Sequence, residues 1–128
     1  MKMISFICFC MMMITSTKII AQKKEINWIT FEQLEDSLSR KPKKVFISFY
    51  ADWCTYCKKM DRVTFKNNEV IDILNSEYYA IKMNAESKDT ILFGGKTYVN
   101  KEIKISRRPN HQISLLLASR KNRSFSLP

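Results

Sequence analysis

Histidine, glycine and proline are scarce in this chain of 128 residues, which has one histidine, two glycines and three prolines. The single histidine, His111, leaves few ligands for a metal ion, because structural zinc sites are built from cysteine and histidine side chains. The apolar stretch near the start, Met3 to Ile14, is 12 residues long, whereas a membrane-spanning helix needs about 20. No internal repeats are present. A chain of this length is expected to form one domain.

The first residues, Met1 to Ala21, are typical of a signal peptide. Lys2 supplies the charge, an apolar stretch follows, and the end before Ala21 is more polar. We expect cleavage between Ala21 and Gln22, which places the domain at residues 22–128 in the periplasm or outside the cell. An uncleaved N-terminal membrane anchor is the alternative, if Lys18 extends its side chain towards the membrane surface.

The formal net charge of +10 raises the question of a nucleic-acid or lipid partner. The cationic residues are scattered, mostly at predicted loops and element ends, and no nucleic-acid motif accompanies them. We expect a solvated basic surface and no nucleic-acid partner. These positions are Lys23-Lys24, Lys41 to Lys44, Lys58-Lys59, Arg107-Arg108 and Arg120 to Arg123.

The most informative segment is Trp53 to Lys58, with the sequence W-C-T-Y-C-K. It follows the apolar run Val45 to Tyr50 and opens a stretch with helical spacing. Cys54 and Cys57, three apart at a helix start, are able to close into a disulfide and reopen without backbone movement. The positive end of the helix dipole favours the thiolate of the first cysteine. The pattern predicts a dithiol centre for thiol-disulfide exchange.

Two other uses of this cysteine pair are possible from the residues alone. Zinc would need further ligands, and only Cys8, Cys10 and His111 remain, two of them in the predicted leader. A permanent structural disulfide between Cys54 and Cys57 would close a very short loop and gain little from chain entropy. We therefore expect redox chemistry and neither a metal nor an organic cofactor.

Around this segment the pattern is that of an α/β domain. Thr30 and Gln33 form a capping box at the start of a helix that Pro42 ends. The run Val45 to Tyr50 has the composition of a central strand buried on both faces. From Tyr79 to Met83, large apolar side chains occupy every second position, which predicts a second strand. A helical crossover would place this strand parallel to the first.

Residues 88–108 differ from the rest, and we interpret them as an inserted surface arm. Ile91 to Phe93, then Gly94-Gly95 and the strand after them, predict a small hairpin with a two-residue turn. This arm either selects partners or is a tolerated insertion. Beyond it, Asn110 is expected to cap a last helix, and His111 is expected to be a surface residue.

The segment Phe49 to Met60 closely resembles the active-site segment of the thioredoxin superfamily. The likeness is best to exported members with W-C-x-x-C-K, such as the C-terminal domain of the transmembrane thiol-disulfide interchange reductase, and Thr64-Phe65 continues it. It implies a thioredoxin-like α/β fold, a sheet flanked by helices. It also implies that Cys54 is the attacking thiol and Cys57 the resolving thiol.

Family members place a cis-proline opposite the cysteines, and Pro128 in the segment Ser124 to Pro128 is the candidate. The resemblance therefore implies that Trp53, the backbone of Leu127 and Pro128 bind substrate. An unstructured terminal proline is the alternative interpretation of Pro128. Ser48 stands where thioredoxins carry a buried aspartate that assists the resolving thiol, so another carboxylate or water would have to take that proton.

In the family, two strands and a helix follow the cis-proline. Because the sequence ends at Pro128, we expect an incomplete thioredoxin-like sheet that lacks the last two strands and helix. Such a domain is expected to be molten, prone to aggregation or dependent on a partner strand.

The predicted function is a thiol-disulfide oxidoreductase that reduces protein disulfides outside the cytoplasm. Thr55-Tyr56 brings no cation between the cysteines, which favours a reductase over a strong oxidant. The expected partners are protein disulfides and a membrane-bound electron donor, and the chain is expected to be a monomer. A non-catalytic thioredoxin-like binding module, or an inert fragment, is the rival interpretation.

Overall fold

The structure is a computed structural model that describes residues 23–118. The predicted signal peptide and its cleavage site lie outside these residues, as do Leu127 and Pro128. The elements, in chain order, are β1 (Trp28–Ile29), α1 (Phe31–Arg40), β2 (Lys44–Tyr50), α2 (Thr55–Arg62), a 3-10 turn (Thr64–Lys66), α3 (Asn68–Glu77), β3 (Tyr78–Asn84), β4 (Ile91–Phe93), β5 (Lys96–Tyr98) and α4 (Gln112–Ala118). None of the helices among the described residues is long and apolar enough to cross a membrane.

The main sheet is parallel and has the strand order β1-β3-β2. The register places Phe46 opposite Ala80 and Tyr50 opposite Asn84, so β2 and β3 are paired over their whole length. The chain returns from β2 to β3 through α2 and α3, as parallel strands require a crossover. The predicted second strand and its parallel pairing are confirmed.

The prediction that Val45 to Tyr50 is a central strand buried on both faces is wrong. The middle strand is β3, and within residues 23–118 β2 pairs with β3 alone. Every residue from Val45 to Tyr50 is half-buried. An apolar run records that both faces contact other side chains, but it carries no information on how many strands flank the backbone.

One face of the sheet packs against α1, the β4-β5 hairpin and α4. Its buried residues form one cluster: Phe31, Leu34, Ile81, Met83, Ile91 and Ile113. The predicted capping box fixes the start of α1, since the Gln33 N–H donates to Thr30 Oγ1 (3.2 Å) and the Thr30 N–H donates to Gln33 Oε1 (3.0 Å).

The opposite face packs against α3 and the 3-10 turn, with a second buried cluster of Ile26, Phe65, Ile71, Leu74 and Ala80. The rings of Trp28 and Phe65 meet edge to face, with centroids 5.2 Å apart, a favoured aromatic geometry. Helices on both faces of a parallel sheet form the three-layer arrangement that the resemblance implied, and the thioredoxin-like α/β fold is confirmed.

The β4-β5 hairpin forms as predicted, with Ile91 opposite Tyr98. Gly94 and Gly95 have φ values of 60° and 67°, and a two-residue turn of this kind requires positive φ at both positions. The segment is more than a surface arm, however. Ile91 is buried in the core cluster, against which the hairpin packs, and Asn100, just after the hairpin, is buried as well.

His111 is fully buried, at 0% exposure, so the prediction that it lies on the surface is wrong. Its Nδ1 accepts from the Ile113 N–H (3.2 Å) and its Nε2 lies 3.0 Å from the carbonyl oxygen of Asp89. Because a carbonyl only accepts, Nε2 is the donor. His111 therefore caps α4 in place of Asn110, whose backbone N–H donates to Glu102 (2.9 Å).

Candidate active site

The two cysteines lie where β2 ends and α2 begins. The Cys54 N–H donates to the Ala51 carbonyl oxygen (2.9 Å), which closes a tight turn after the strand. Cys54 is the N-cap of α2, and its Sγ accepts from the Cys57 N–H (3.2 Å). The two residues are joined by a disulfide, with their Cα atoms 5.3 Å apart. Because the bond spans one helical turn, the pair opens and closes with little backbone change.

The electrostatic setting of Cys54 favours a thiolate once the disulfide is reduced. The Cys57 N–H of the first turn of α2 donates to Cys54 Sγ, and that turn holds no acidic residue. A helix N-terminus carries partial positive charge, and such a setting stabilises the anion of a cysteine. Cys54 and Cys57 are both half-buried, so a partner disulfide is able to reach them.

Trp53, directly before the dithiol, is exposed at 56% but held in place on two sides. Its indole N–H donates to Glu86 Oε1 (2.8 Å). On its face, the guanidinium carbon of Arg108 lies 4.1 Å from the ring centroid, which is a cation–π contact. Trp53 is thus a fixed aromatic surface beside Cys54.

Apolar side chains in α2 and directly after it are exposed. Met60 is 41% exposed and Val63 is 62% exposed, and α2 has no buried residue. Phe65, in the next turn, supplies the buried contact instead.

A salt bridge below the dithiol helix was missed by the sequence analysis. Lys82 Nζ, on β3, lies 2.5 Å from Asp61 Oδ1, and both side chains are largely shielded from solvent, at 26% and 35% exposure. Lys82 stands opposite Ser48 in the strand register. Asp61 follows Cys57 by four residues in α2, which places both side chains on one side of the helix. That spacing is the signal by which the sequence could have indicated Asp61.

A cavity of about 170 Å³ adjoins this salt bridge. Its lining residues are Glu25, Ile26, Trp28, Asp61, Phe65, Lys66 and Lys82. The volume and the charged side chains suit ordered water. Asp61 and Lys82 therefore both border this cavity.

The structure brings together three of the predicted site residues, Trp53, Cys54 and Cys57. Leu127 and Pro128 lie outside the described residues, so their predicted role in substrate binding stays a prediction. Among residues 23–118, no group of three or more histidine, cysteine, aspartate or glutamate side chains is placed to hold a metal ion.

Several curated proteins are similar to the region around the dithiol, and three of them, each named thiol:disulfide interchange protein DsbD, illustrate the likeness. The protein from Pseudoalteromonas atlantica is 33% identical over 64 residues, which are 49% of this chain and 11% of the relative. The Photorhabdus laumondii protein is 43% identical over 44 residues (34% and 7%). The Campylobacter jejuni strain RM1221 protein is 30% identical over 59 residues (46% and 10%).

The chain thus spans about a tenth of the length of these relatives. No solved structure gives a significant match. A family model named Thioredox_DsbH, described as a protein of unknown function, DUF255, matches residues 13–126. Because that match extends over most of the sequence, the chain belongs to the Thioredox_DsbH family and is a thioredoxin-like protein related to DsbD.

Proposed function

We propose that this protein is a thiol-disulfide oxidoreductase that reduces protein disulfides outside the cytoplasm. The observation that carries the proposal is the Cys54–Cys57 disulfide at the N-terminus of α2. The names of the DsbD relatives, which describe thiol-disulfide interchange, support the same chemistry. A purely structural disulfide is disfavoured because the bond links residues already held within one helical turn.

The reaction begins with the reduced protein. The Cys54 thiolate attacks one sulfur of a partner disulfide, forming a mixed disulfide and releasing the other partner sulfur as a thiolate, which takes a proton. The Cys57 thiolate then attacks Cys54 Sγ. The second partner thiol leaves, and the protein keeps the Cys54–Cys57 disulfide. Two electrons pass from protein to partner.

The second step needs a base for the Cys57 thiol, and Asp61 is the candidate. Its carboxylate lies on the same side of α2 as Cys57 and is fixed by Lys82. Ser48, opposite Lys82 in the sheet, has no carboxylate. Asp61, on the same helix as Cys57, is therefore the candidate base for the resolving thiol in place of the aspartate that is missing at position 48.

The residues between the cysteines support the reducing direction of the proposal. Thr55 and Tyr56 are exposed and uncharged, so no side chain there stabilises the reduced form strongly, as a strong oxidant would require. A reductase in an oxidising compartment must be reduced again by a two-electron donor. We propose a membrane-bound dithiol protein as that donor and protein disulfides as the substrates, with the predicted leader directing export.

Turnover on a protein disulfide tests the proposal. The full chain, with Cys8 and Cys10 changed to Ser, is given insulin and a slow dithiol reductant, and insulin reduction is followed. We expect acceleration over the reductant alone, no acceleration by Cys54→Ser or Cys57→Ser, and full activity in an exposed-site control, Lys101→Ala. Equal rates with and without the protein would reject the proposal in favour of a binding module.

A further inference from the structure

The loop that follows the hairpin is fixed beside the dithiol by a buried asparagine. Asn100 is 7% exposed, and its Nδ2 donates to the carbonyl oxygens of Ser87 and Pro109, each at 3.0 Å. Its Oδ1 accepts from the Glu102 N–H (3.1 Å). The two ends of the loop are therefore tied to each other and to the residues that follow β3.

The same tie brings Arg108 next to the dithiol. Ala85, at the end of β3, donates to the Tyr50 carbonyl oxygen (2.7 Å), so the loop after β3 adjoins the end of β2. Arg108, directly before Pro109, stacks on Trp53 at 4.1 Å. Its own backbone is held, since its N–H donates to Ser106 Oγ (3.2 Å).

The guanidinium of Arg108 keeps its hydrogen-bonding edge available. Arg108 is exposed, and within residues 23–118 it forms no ion pair. Glu86, which shares Trp53 as a partner, accepts from the indole N–H of that residue. Stacking uses the face of a guanidinium and leaves its in-plane N–H donors for a carboxylate.

The other charges around the dithiol are mostly positive. Exposed Lys58, Lys59 and Arg62 lie on α2, and exposed Arg107 precedes Arg108. The opposing charges are Asp52 and the half-buried Glu86, while Asp61 is paired with Lys82. Helix α2 and the Arg107-Arg108 pair thus carry five exposed cations, whereas Asp52 and Glu86 are the two carboxylates named here that form no ion pair within residues 23–118.

We propose that Arg108 is the specificity-determining residue of the dithiol site, and that it binds a carboxylate side chain close to the disulfide of an acidic partner segment. The inference rests on the proposed function and deepens it, because it names the class of substrate. Trp53 orients the guanidinium, and the guanidinium forms a bidentate pair with aspartate or glutamate. Disulfides flanked by lysine or arginine are repelled.

Two disulfide peptides that differ only in flanking residues test this, one with glutamate and one with lysine beside the cysteine. The reduced full chain, with Cys8 and Cys10 changed to Ser, should react about threefold or more faster with the acidic peptide. The preference should shrink between about 0.05 and 0.5 M salt. Hydroxyethyl disulfide, which is neutral, reports exchange without charge recognition.

Three variants separate recognition from simple support of Trp53. Arg108→Gln should equalise the two peptide rates and slow exchange with hydroxyethyl disulfide far less than exchange with the acidic peptide. Arg108→Lys should keep part of the preference, and Arg107→Gln, the adjacent control, should keep most of it. If Arg108→Gln slows all three disulfides equally, Arg108 only supports Trp53 and the proposal is overturned. Equal peptide rates in the unmodified site also overturn it.

A binding measurement makes the inference independent of exchange chemistry. Cysteine-free versions of the two peptides are titrated into the oxidised protein while the indole N–H resonance of Trp53 is followed by NMR, assigned with Trp53→Phe. The acidic peptide should shift this resonance, and Arg108→Gln should abolish the shift. A failure of exchange with every disulfide, alongside this shift, would reject the proposed function but keep the acidic-segment site. No shift with the acidic peptide would reject the site.

Discussion

Lys82 of the middle strand forms a salt bridge with Asp61 of the helix that carries the dithiol, with a distance of 2.5 Å between Nζ and Oδ1. This contact links the sheet to α2, which has no buried side chain of its own. Removing one partner would leave the other charge half-buried and unpaired, which is unfavourable. The salt bridge thus holds α2 against the sheet and fixes the carboxylate that lies four residues after Cys57 in that helix.

Asp61→Asn is expected to slow the resolving step. Without the carboxylate, the Cys57 thiol loses its proton to water alone, and mixed disulfide accumulates before the second step. We expect a fall of roughly tenfold or more in the rate of resolution near neutral pH. Stopped-flow mixing with a chromogenic disulfide measures the two steps separately.

The matched control for Asp61→Asn is Asp72→Asn. Asp72 also forms a salt bridge with a lysine, Lys24, but it lies on α3 and not on the helix that carries the cysteines. This variant should leave both steps unchanged. Higher pH should restore the rate of Asp61→Asn, because hydroxide replaces the lost base. A normal resolving rate in Asp61→Asn would show that water suffices.

His111→Ala is expected to lower the free energy of unfolding by about 2–4 kcal/mol, because it removes a fully buried side chain and two hydrogen bonds. Denaturant unfolding measures the change. The matched control is Leu115→Ala on the same helix, where 48% exposure predicts a much smaller effect. Equal losses in the two variants would contradict the buried capping role of His111.

Glu32 is expected to contribute a small stabilisation that depends on pH. The hydrogen bond from its own backbone N–H holds the pKa of Glu32 below its ordinary value of 4.5, although partial burial opposes this, and the N–H of Leu92 also donates to it. A lowered folded-state pKa stabilises the fold above the unfolded pKa, and the benefit disappears as the pH falls through the folded value.

Glu32→Gln should therefore reduce the free energy of unfolding by a few tenths of a kcal/mol at pH 7, and this deficit should shrink as the pH falls towards 3. Thermal unfolding of both proteins at the two pH values provides the comparison. Glu77→Gln is the control, because within residues 23–118 no backbone N–H donates to the carboxylate of Glu77. A deficit that persists at pH 3 would mean that the side chain acts by packing and not by charge.

The predicted leader has a simple chemical test. Mass spectrometry of protein from the producing cell should find a chain that begins at Gln22, because cleavage after Ala21 matches the charged start and the apolar stretch. Recovery of the protein from the cytosol with Met1 still present would contradict the proposed export.

Local signals in the sequence were sufficient for much of the fold. The capping box at Thr30, the Gly94-Gly95 turn and the alternation from Tyr79 to Met83 each depend on neighbours within a few residues, and each is confirmed. The cysteine spacing belongs to the same class, since Cys54 and Cys57 meet through one helical turn. Such features need no knowledge of distant contacts.

The errors concern contacts between distant segments. The buried imidazole of His111 donates a hydrogen bond to the backbone carbonyl oxygen of Asp89, 22 residues away. No local sequence pattern indicates that pairing. Arg108 reaches Trp53 in a loop that Asn100 ties to Ser87 and Pro109, and these contacts join segments far apart in sequence. The pairing of Asp61 with Lys82 was missed for the same reason, since the two residues lie on different elements, although the spacing of Asp61 from Cys57 is a local signal.

The most direct test of the central claim is to trap the first intermediate of the proposed exchange. Cys57→Ser and Cys54→Ser, each reduced and in the background lacking Cys8 and Cys10, are mixed with a protein disulfide and quenched with acid. Mass spectrometry should find a mixed disulfide on Cys54 of the first variant and none on Cys57 of the second. Equal trapping on both cysteines, or none on Cys54, would contradict the assignment of Cys54 as the attacking thiol.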